Sequence, residues 1–494
     1  MRESALPSAL ERLPLVPLLA LGGAASIAVA LGPEALTTAL IAFIGMMVVA
    51  LRPQWGVAAI LVLLMVQYGS RRYEREGLAG LINLIPAGEG LVTVNNILGL
   101  FLALLIVYHV YRDNDWSFLR NRQLQLVGLI TAALAFSAFV SGIDSADAID
   151  LGLRLTGGQD PTRLLVSRAL FLVLFVFFLR QPRDLRMIVG VFVALAVSTA
   201  WSGSSAAITG SGRPEVADYR AGGLEVLIGS TQNPNRLALI CTLALIFIWE
   251  YSQAYALRRW RWPAIAAILL LVVTVFLSAS RGGVLGLGFA TLLLFVRRQT
   301  GGGRIAYGIA VALLGVMLIG QVVPEQALER IANIPGITAD SNSGEGAGSI
   351  ERRGYTYGIG LDIWQLAPLV GVGPGNWPYV RFITDPLRSA AAPHNSFLKA
   401  LAEGGILTLG LYLALFWVTL RDLVRCERSP AVIAAARRDG LAWLLSGARI
   451  ALITFLIFSL FADLWDLIFA YLLIGIAAVL LQRYKPLAAA PVPA

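Results

Sequence analysis

Residues 262–298 read WPAIAAILLLVVTVFLSASRGGVLGLGFATLLLFVRR. Two apolar runs, 262–279 and 282–297, meet at the short polar turn Ser278-Ala279-Ser280-Arg281-Gly282-Gly283. Each run approaches the ~20 residues that an α-helix needs to cross the hydrocarbon core of a bilayer. Arginines stand outside both far ends: Arg258, Arg259 and Arg261 before the pair, Arg297, Arg298 and Arg304 after it. Basic residues in short loops mark the cytoplasmic side of a membrane protein. The stretch therefore reads as a helical hairpin crossing a membrane twice, with its central turn on the outer side.

The same pattern extends in both directions. Further apolar runs occupy 13–31, 35–51, 55–68, 95–111, 123–141, 164–180, 186–209, 235–252, 305–323, 397–420, 447–463 and 465–482. With 55–68 short, the reading is an all-α polytopic membrane protein of 12–14 transmembrane helices. Composition agrees: of 494 residues 57% are hydrophobic and 14% charged, with mean hydropathy +0.74. A soluble domain carries roughly 25% charged residues, so lipid must cover this surface. The first run continues into the second after Gly32-Pro33-Glu34 and reads as a first span, not a cleaved leader. The net charge of +9 comes from arginines in short loops and does not point to nucleic acid. Cys241 and Cys426 form no CxxC, metal spacing or expected disulfide.

Connections 180–186, 258–261, 297–304 and 421–438 are rich in arginine and alternate so as to share one side, the cytoplasm, with both termini. The longer connections 69–94, 142–163, 210–234 and 324–396 fall outside. The last is the longest, and loops of that length usually carry structure and function of their own. Within it Pro324–Ile334 is amphipathic, 337–349 is a Gly/Ser linker, Ile350–Ala367 has helical spacing, and Gly371–Pro378 is rich in turn residues. Three units follow: 1–323, membrane helices; 324–396, an outer loop module with helices; 397–494, the last membrane helices and a cytoplasmic tail.

Candidate chemistry gathers on the outer side. Of two histidines, His109 ends an apolar run at the cytoplasmic end and reads as structural. His394 closes the long loop immediately before a helix for which Asn395 or Ser396 is a good N-cap. The positive helix end disfavours imidazolium, so His394 is poised as a neutral general base, or else simply caps a helix at the membrane surface. Arg281, on the side where basic residues are disfavoured, suits bidentate contact with a phosphate or with a lipid headgroup. Arg220 precedes Ala221-Gly222-Gly223, and Asn233-Pro234-Asn235-Arg236 opens the next helix. Arg352 and Arg353 lie on the predicted loop helix. Glu403 follows His394 in the same helix and is placed to orient substrate or imidazole, while Asp463 and Asp466 read as caps of a helical hairpin. No Walker A, HExxH or usable GxSxG is present, so neither a metal nor a cofactor is expected.

The turn Ser278–Gly283, the RAGG and NPN segments, and PHNSFLKALAEGG (393–405) together resemble the bacterial O-antigen ligase and polymerase superfamily. The motifs cover roughly 210–425, and PHN followed by a helix bearing E-x-G is the most specific of them. The resemblance implies a fold similar to C-type glycosyltransferases and transfer of glycan from an undecaprenyl-diphosphate donor on the periplasmic face of the inner membrane. The acceptor it implies for a ligase is lipid A–core. It places the essential histidine on His394 and the donor-binding arginines on Arg220 and Arg281. Arginines can stabilise a diphosphate leaving group without metal, and direct displacement inverts the anomeric centre. The ligase is favoured; polymerase and protein O-oligosaccharyltransferase stay open. A transporter fits less well, because the spans are nearly free of acids and show no repeat.

Overall fold

A computed structural model describes residues 45–70, 94–141, 161–209, 234–255, 261–278, 280–297, 347–384, 393–465 and 467–489. The described residues are mainly helical, with no strand among them. The apolar runs become α1 (Pro53–Ser70), α2 (Val94–Asp113), α3 (Arg122–Ser141), α4 (Pro161–Phe178), α5 (Pro182–Thr209), α6 (Pro234–Tyr255), α7 (Arg261–Leu277) and α8 (Arg281–Val296). Then follow α9 (Ala347–Leu366), α10 (Trp377–Thr384), α11 (Ser396–Arg428), α12 (Pro430–Arg438), α13 (Ala442–Ser459) and α14 (Ile468–Ala489). Among the described residues six helices (α3, α5, α6, α11, α13, α14) are long and apolar enough to cross a membrane, and α1, α4, α7 and α8 contribute four shorter apolar stretches. The chain is a polytopic, all-α membrane protein. Runs 13–31 and 305–323, most of 35–51, the amphipathic 324–334 and most of the 337–349 linker lie outside the described residues.

Burial sorts the helices. α6, α13 and α14 are the most enclosed; α6 packs against α5, α7, α8 and α13, while α14 packs against α4, α11 and α13. Outer helices turn large apolar side chains away from this centre, among them Phe139 (86% exposed), Trp262 (75%) and Trp417 (69%). Water would penalise such a surface, whereas hydrocarbon does not.

At one end of the bundle charges are paired across helices. Buried Glu250 of α6 takes Arg297 Nη1 at 2.9 Å and the hydroxyl of Ser446 at 2.7 Å, joining α6, α8 and α13. Asp422 of α11, also buried, takes Lys485 Nζ of α14 at 2.6 Å. Asp439 lies in the α12–α13 loop, and the Arg483 guanidinium of α14, helped by the Tyr484 hydroxyl, holds its carboxyl below the usual range. Paired in this way, buried charges escape the penalty of isolation in low dielectric. His109 lies near this end, its ring 5.6 Å from Tyr108 and 6.3 Å from Phe177, among aromatic neighbours as a structural histidine would be.

At the other end α9 and α10 build a small core of their own from Ile359, Ile363, Val372, Trp377 and Val380, closed by Ala402 and Leu398 of α11. The predicted helix 350–367 is thus present, starting three residues earlier at Ala347. The loop after α9 does more than turn. α11 is broken at Gly405 (φ 68°, ψ −174°), which frees carbonyls above the break and N–H groups below it. Residues 368–373 supply the partners: Val372 N donates to Ala402 O and Gly373 N to Glu403 O, each at 3.0 Å. Ile406 N donates to Pro368 O at 3.0 Å and Leu407 N to Leu369 O at 3.3 Å. Irregular backbone at membrane depth survives only where protein satisfies it, and here a neighbouring loop satisfies the backbone on both sides of the break.

Candidate functional site

Three helix N-termini meet at the end of the bundle opposite the paired charges. α8 begins with Ser280 as N-cap, whose side chain accepts from Gly283 N at 2.8 Å. The same hydroxyl donates to the Asn235 side-chain oxygen in the first turn of α6. Ser280 and Asn235, distant in sequence, are therefore hydrogen-bonded neighbours. The small residues of this turn serve packing more than ligand approach: a Cβ on Gly283 would fall 2.4 Å from Ala238 Cβ, and one on Gly286 would fall 2.1 Å from the Phe458 ring. Arg281 stands in the first turn of α8 and is partly exposed.

The third N-terminus belongs to α11. Asn395 is its N-cap, as expected, accepting from Phe397 N and Leu398 N at 3.0 Å each. His394 precedes the cap at φ 48°, in the left-handed region that a non-glycine residue enters only when its surroundings hold it there. The residue is half-buried. Ser396, the other cap candidate, bonds instead to the connection between α13 and α14. Its hydroxyl donates to Ala462 O at 2.8 Å and accepts from Leu464 N at 2.9 Å.

What joins α6 to α11 is that connection, whose described residues 460–465 form a strap laid across both N-termini. Asn235 Nδ2 donates to Phe461 O and Arg236 Nη2 to Asp463 O, each at 3.2 Å. Ser396 holds the residues on either side of Asp463. Lys399, one turn into α11, forms an ion pair with Asp463 Oδ2 at 2.9 Å, with side chains only 17% and 10% exposed. Asp463 is thus no mere helix cap, as its sequence position suggested; it is an internal counterion. Asp466 lies outside the described residues.

Of the residues singled out in the sequence, the fold brings Asn235, Arg236, Arg281, His394 and Asn395 to this end. Arg220 and Asn233 lie outside the described residues. Arg352 and Arg353 fall within the first turns of α9. Glu403 is buried, and its backbone carbonyl accepts from Gly373 N and from Ser137 Oγ at 3.0 Å. It stands nine residues beyond His394, close to the break in α11 at Gly405. Sequence reasoning missed Lys399 as well as the ion-pair role of Asp463. A signal for Lys399 was present: it and Lys485 are the two lysines of a chain whose other basic side chains are nearly all arginine.

Electrostatically the region favours an anion. Helix N-termini carry partial positive charge and unsatisfied N–H groups, and three of them meet here with Arg281 in the first turn of α8, whereas Lys399 and Arg236 are engaged with Asp463. Against these, Asp463 is the carboxylate placed among them by the described contacts. A phosphate-bearing group beside a half-buried histidine is the arrangement such a field would hold.

Residues 265–413 match the family model described as O-Antigen ligase. The matched stretch runs from α7 to the middle of α11, so it contains Arg281, His394, Lys399 and Glu403 and stops short of Asp463. No curated protein sequence matches the chain significantly.

Proposed function

Because the chain is a member of the O-antigen ligase/polymerase superfamily, we propose that it is a ligase. It joins a glycan carried on undecaprenyl diphosphate to a sugar hydroxyl of lipid A–core, on the periplasmic face of the bacterial inner membrane. Both chain termini then lie in the cytoplasm. The observation that carries this reading is the meeting of three helix N-termini at one end of the bundle, with Arg281 in the first turn of α8 and His394 immediately before α11. It offers an anion site for a diphosphate and, at its edge, a group able to accept a proton.

The chemistry is a single displacement. The acceptor hydroxyl oxygen attacks the anomeric carbon as the bond to the diphosphate oxygen breaks, inverting the centre. His394 accepts the hydroxyl proton. Negative charge grows on the departing diphosphate, where preorganised cations stabilise the transition state more than the ground state. Arg281, with Arg220 from the 210–234 connection, takes that role, and the arginines stand in for a metal ion.

Deleting the gene tests the reading. Lipopolysaccharide should lose its long chains while lipid-linked polymer accumulates. Cores bearing one repeat unit would identify a polymerase, and unchanged lipopolysaccharide with loss of glycoproteins would identify a protein glycosyltransferase.

Arg281→Lys gives a finer test. Lysine keeps the charge but loses the planar fork that meets two phosphate oxygens at once. Loss of one charge-assisted hydrogen bond is worth roughly 1.5–3 kcal/mol, so kcat/KM for the lipid-linked donor should fall about 10- to 100-fold. Wild-type turnover in this variant would remove Arg281 from diphosphate binding.

A further inference from the structure

The strap, residues 460–465, is held at four successive residues, through Phe461 O, Ala462 O, Asp463 O and Leu464 N. None of these bonds uses the Asp463 side chain, which meets Lys399 through Oδ2 alone. Its second oxygen, Oδ1, is buried without a hydrogen-bond partner, in a residue only 7% exposed. Beside it, Arg236 commits Nη2 to the Asp463 carbonyl while its Nε is also buried and unmet. Buried polar atoms are nearly always satisfied, so an unmet acceptor and an unmet donor on two residues linked by a hydrogen bond demand explanation.

Their chemistry narrows the ligand. The carboxylate oxygen requires a donor and repels phosphate, while the guanidinium Nε–H requires an acceptor. A hydroxyl is both donor and acceptor, and adjacent hydroxyls on a sugar ring can meet the two atoms together. Lys399 neutralises Asp463, so the carboxylate can stand in a field otherwise suited to a diphosphate. We infer that Asp463, set by Lys399 and Arg236, is a sugar-recognition site that binds ring hydroxyls of a glycan, separate from the groups that hold the diphosphate. Both atoms are covered by their neighbours, so the ring reaches them as side chains around the strap move aside. This assignment rests on the transferase reading above. Two sugars have the required chemistry: the ring attached to the donor diphosphate and the ring bearing the acceptor hydroxyl.

The full-length protein in lipid nanodiscs provides the test, with three ligands: lipid diphosphate without sugar, the same lipid bearing glycan, and the acceptor glycolipid. Asp463→Asn preserves shape but takes away the counterion of Lys399. The double variant Asp463→Asn/Lys399→Met removes both charges and guards against a folding defect. The wild type should bind all three. Both variants should lose about tenfold in affinity for one sugar-bearing ligand, as expected for loss of a hydrogen bond to a charged group, and bind bare lipid diphosphate as before. A loss confined to the glycan-bearing lipid assigns the site to the donor sugar; a loss confined to the glycolipid assigns it to the acceptor. Unchanged binding of all three, or a parallel loss of all three, overturns the inference while leaving the transferase reading intact. Wild-type protein that binds none of them overturns both.

Discussion

His394→Gln is expected to give a folded, membrane-inserted protein that binds lipid-linked donor and transfers glycan about 10²–10⁴ times more slowly, the usual loss when a general base is removed. Glutamine can keep a hydrogen bond to the acceptor hydroxyl but cannot take its proton. Folding should survive because the contacts that secure this corner belong to neighbours: Asn395 caps α11 and Ser396 grips the strap. The backbone at φ 48° imposes one condition, since most side chains tolerate the left-handed region poorly. Asparagine tolerates it well, so His394→Asn separates strain from chemistry. If Gln and Asn variants melt alike and are equally slow, the loss is chemical. Transfer by the Gln variant at close to the wild-type rate would make His394 a positioning residue, and a proton acceptor would have to be sought elsewhere.

Gly371→Ala should cost at least about 3 kcal/mol of stability, or prevent the protein from accumulating. Gly371 has φ 73°, and a Cβ there would fall 2.3 Å from the Glu403 carbonyl carbon. Relief requires the loop to leave the break in α11. Val372 N and Gly373 N would then abandon the carbonyls of Ala402 and Glu403, and unpaired backbone in a membrane interior is expensive. Gly358→Ala is the matched control. It lies in α9 with nothing within 4 Å of its added Cβ, where alanine is the better helix former. Thermal unfolding of the two purified variants in the same detergent decides the matter. Equal melting temperatures would mean that the loop and the helix break do not support one another.

The apolar period made most of the helices legible. Runs 262–279 and 282–297 correspond within a few residues to α7 (Arg261–Leu277) and α8 (Arg281–Val296). Hydropathy misplaced ends where polarity and backbone geometry part company. The run 397–420 stopped before Arg421, yet α11 continues to Arg428 because Asp422 is buried against Lys485 and the helix needs no apolar residue there. Conversely, 447–463 absorbed Leu460, Phe461 and Ala462, which are apolar but belong to the strap, beyond the end of α13 at Ser459. No glycine or proline marks that departure from helix. The N-cap beside His394 could be read because capping is local. The links from Asp463 to Arg236 and to Lys399 could not, since they span 227 and 64 residues. Contacts of that kind come from tertiary packing alone.

The position of the strap also sets an order of assembly. A ribosome delivers Asn235, Arg281 and His394 to the membrane well before it makes Asp463, so each motif is inserted while the piece that unites them does not yet exist. Until α13 and α14 arrive as a hairpin, Asn235, Arg236 and Ser396 lack the carbonyls of Phe461, Ala462 and Asp463 to which they donate. A chain ending after α12 would carry the whole of the SRGG, NPN and PHN motifs and still have no joined site. Completion of the site therefore waits until the strap has been made, and before that the NPN and PHN motifs sit unjoined in a bilayer rich in phosphate headgroups.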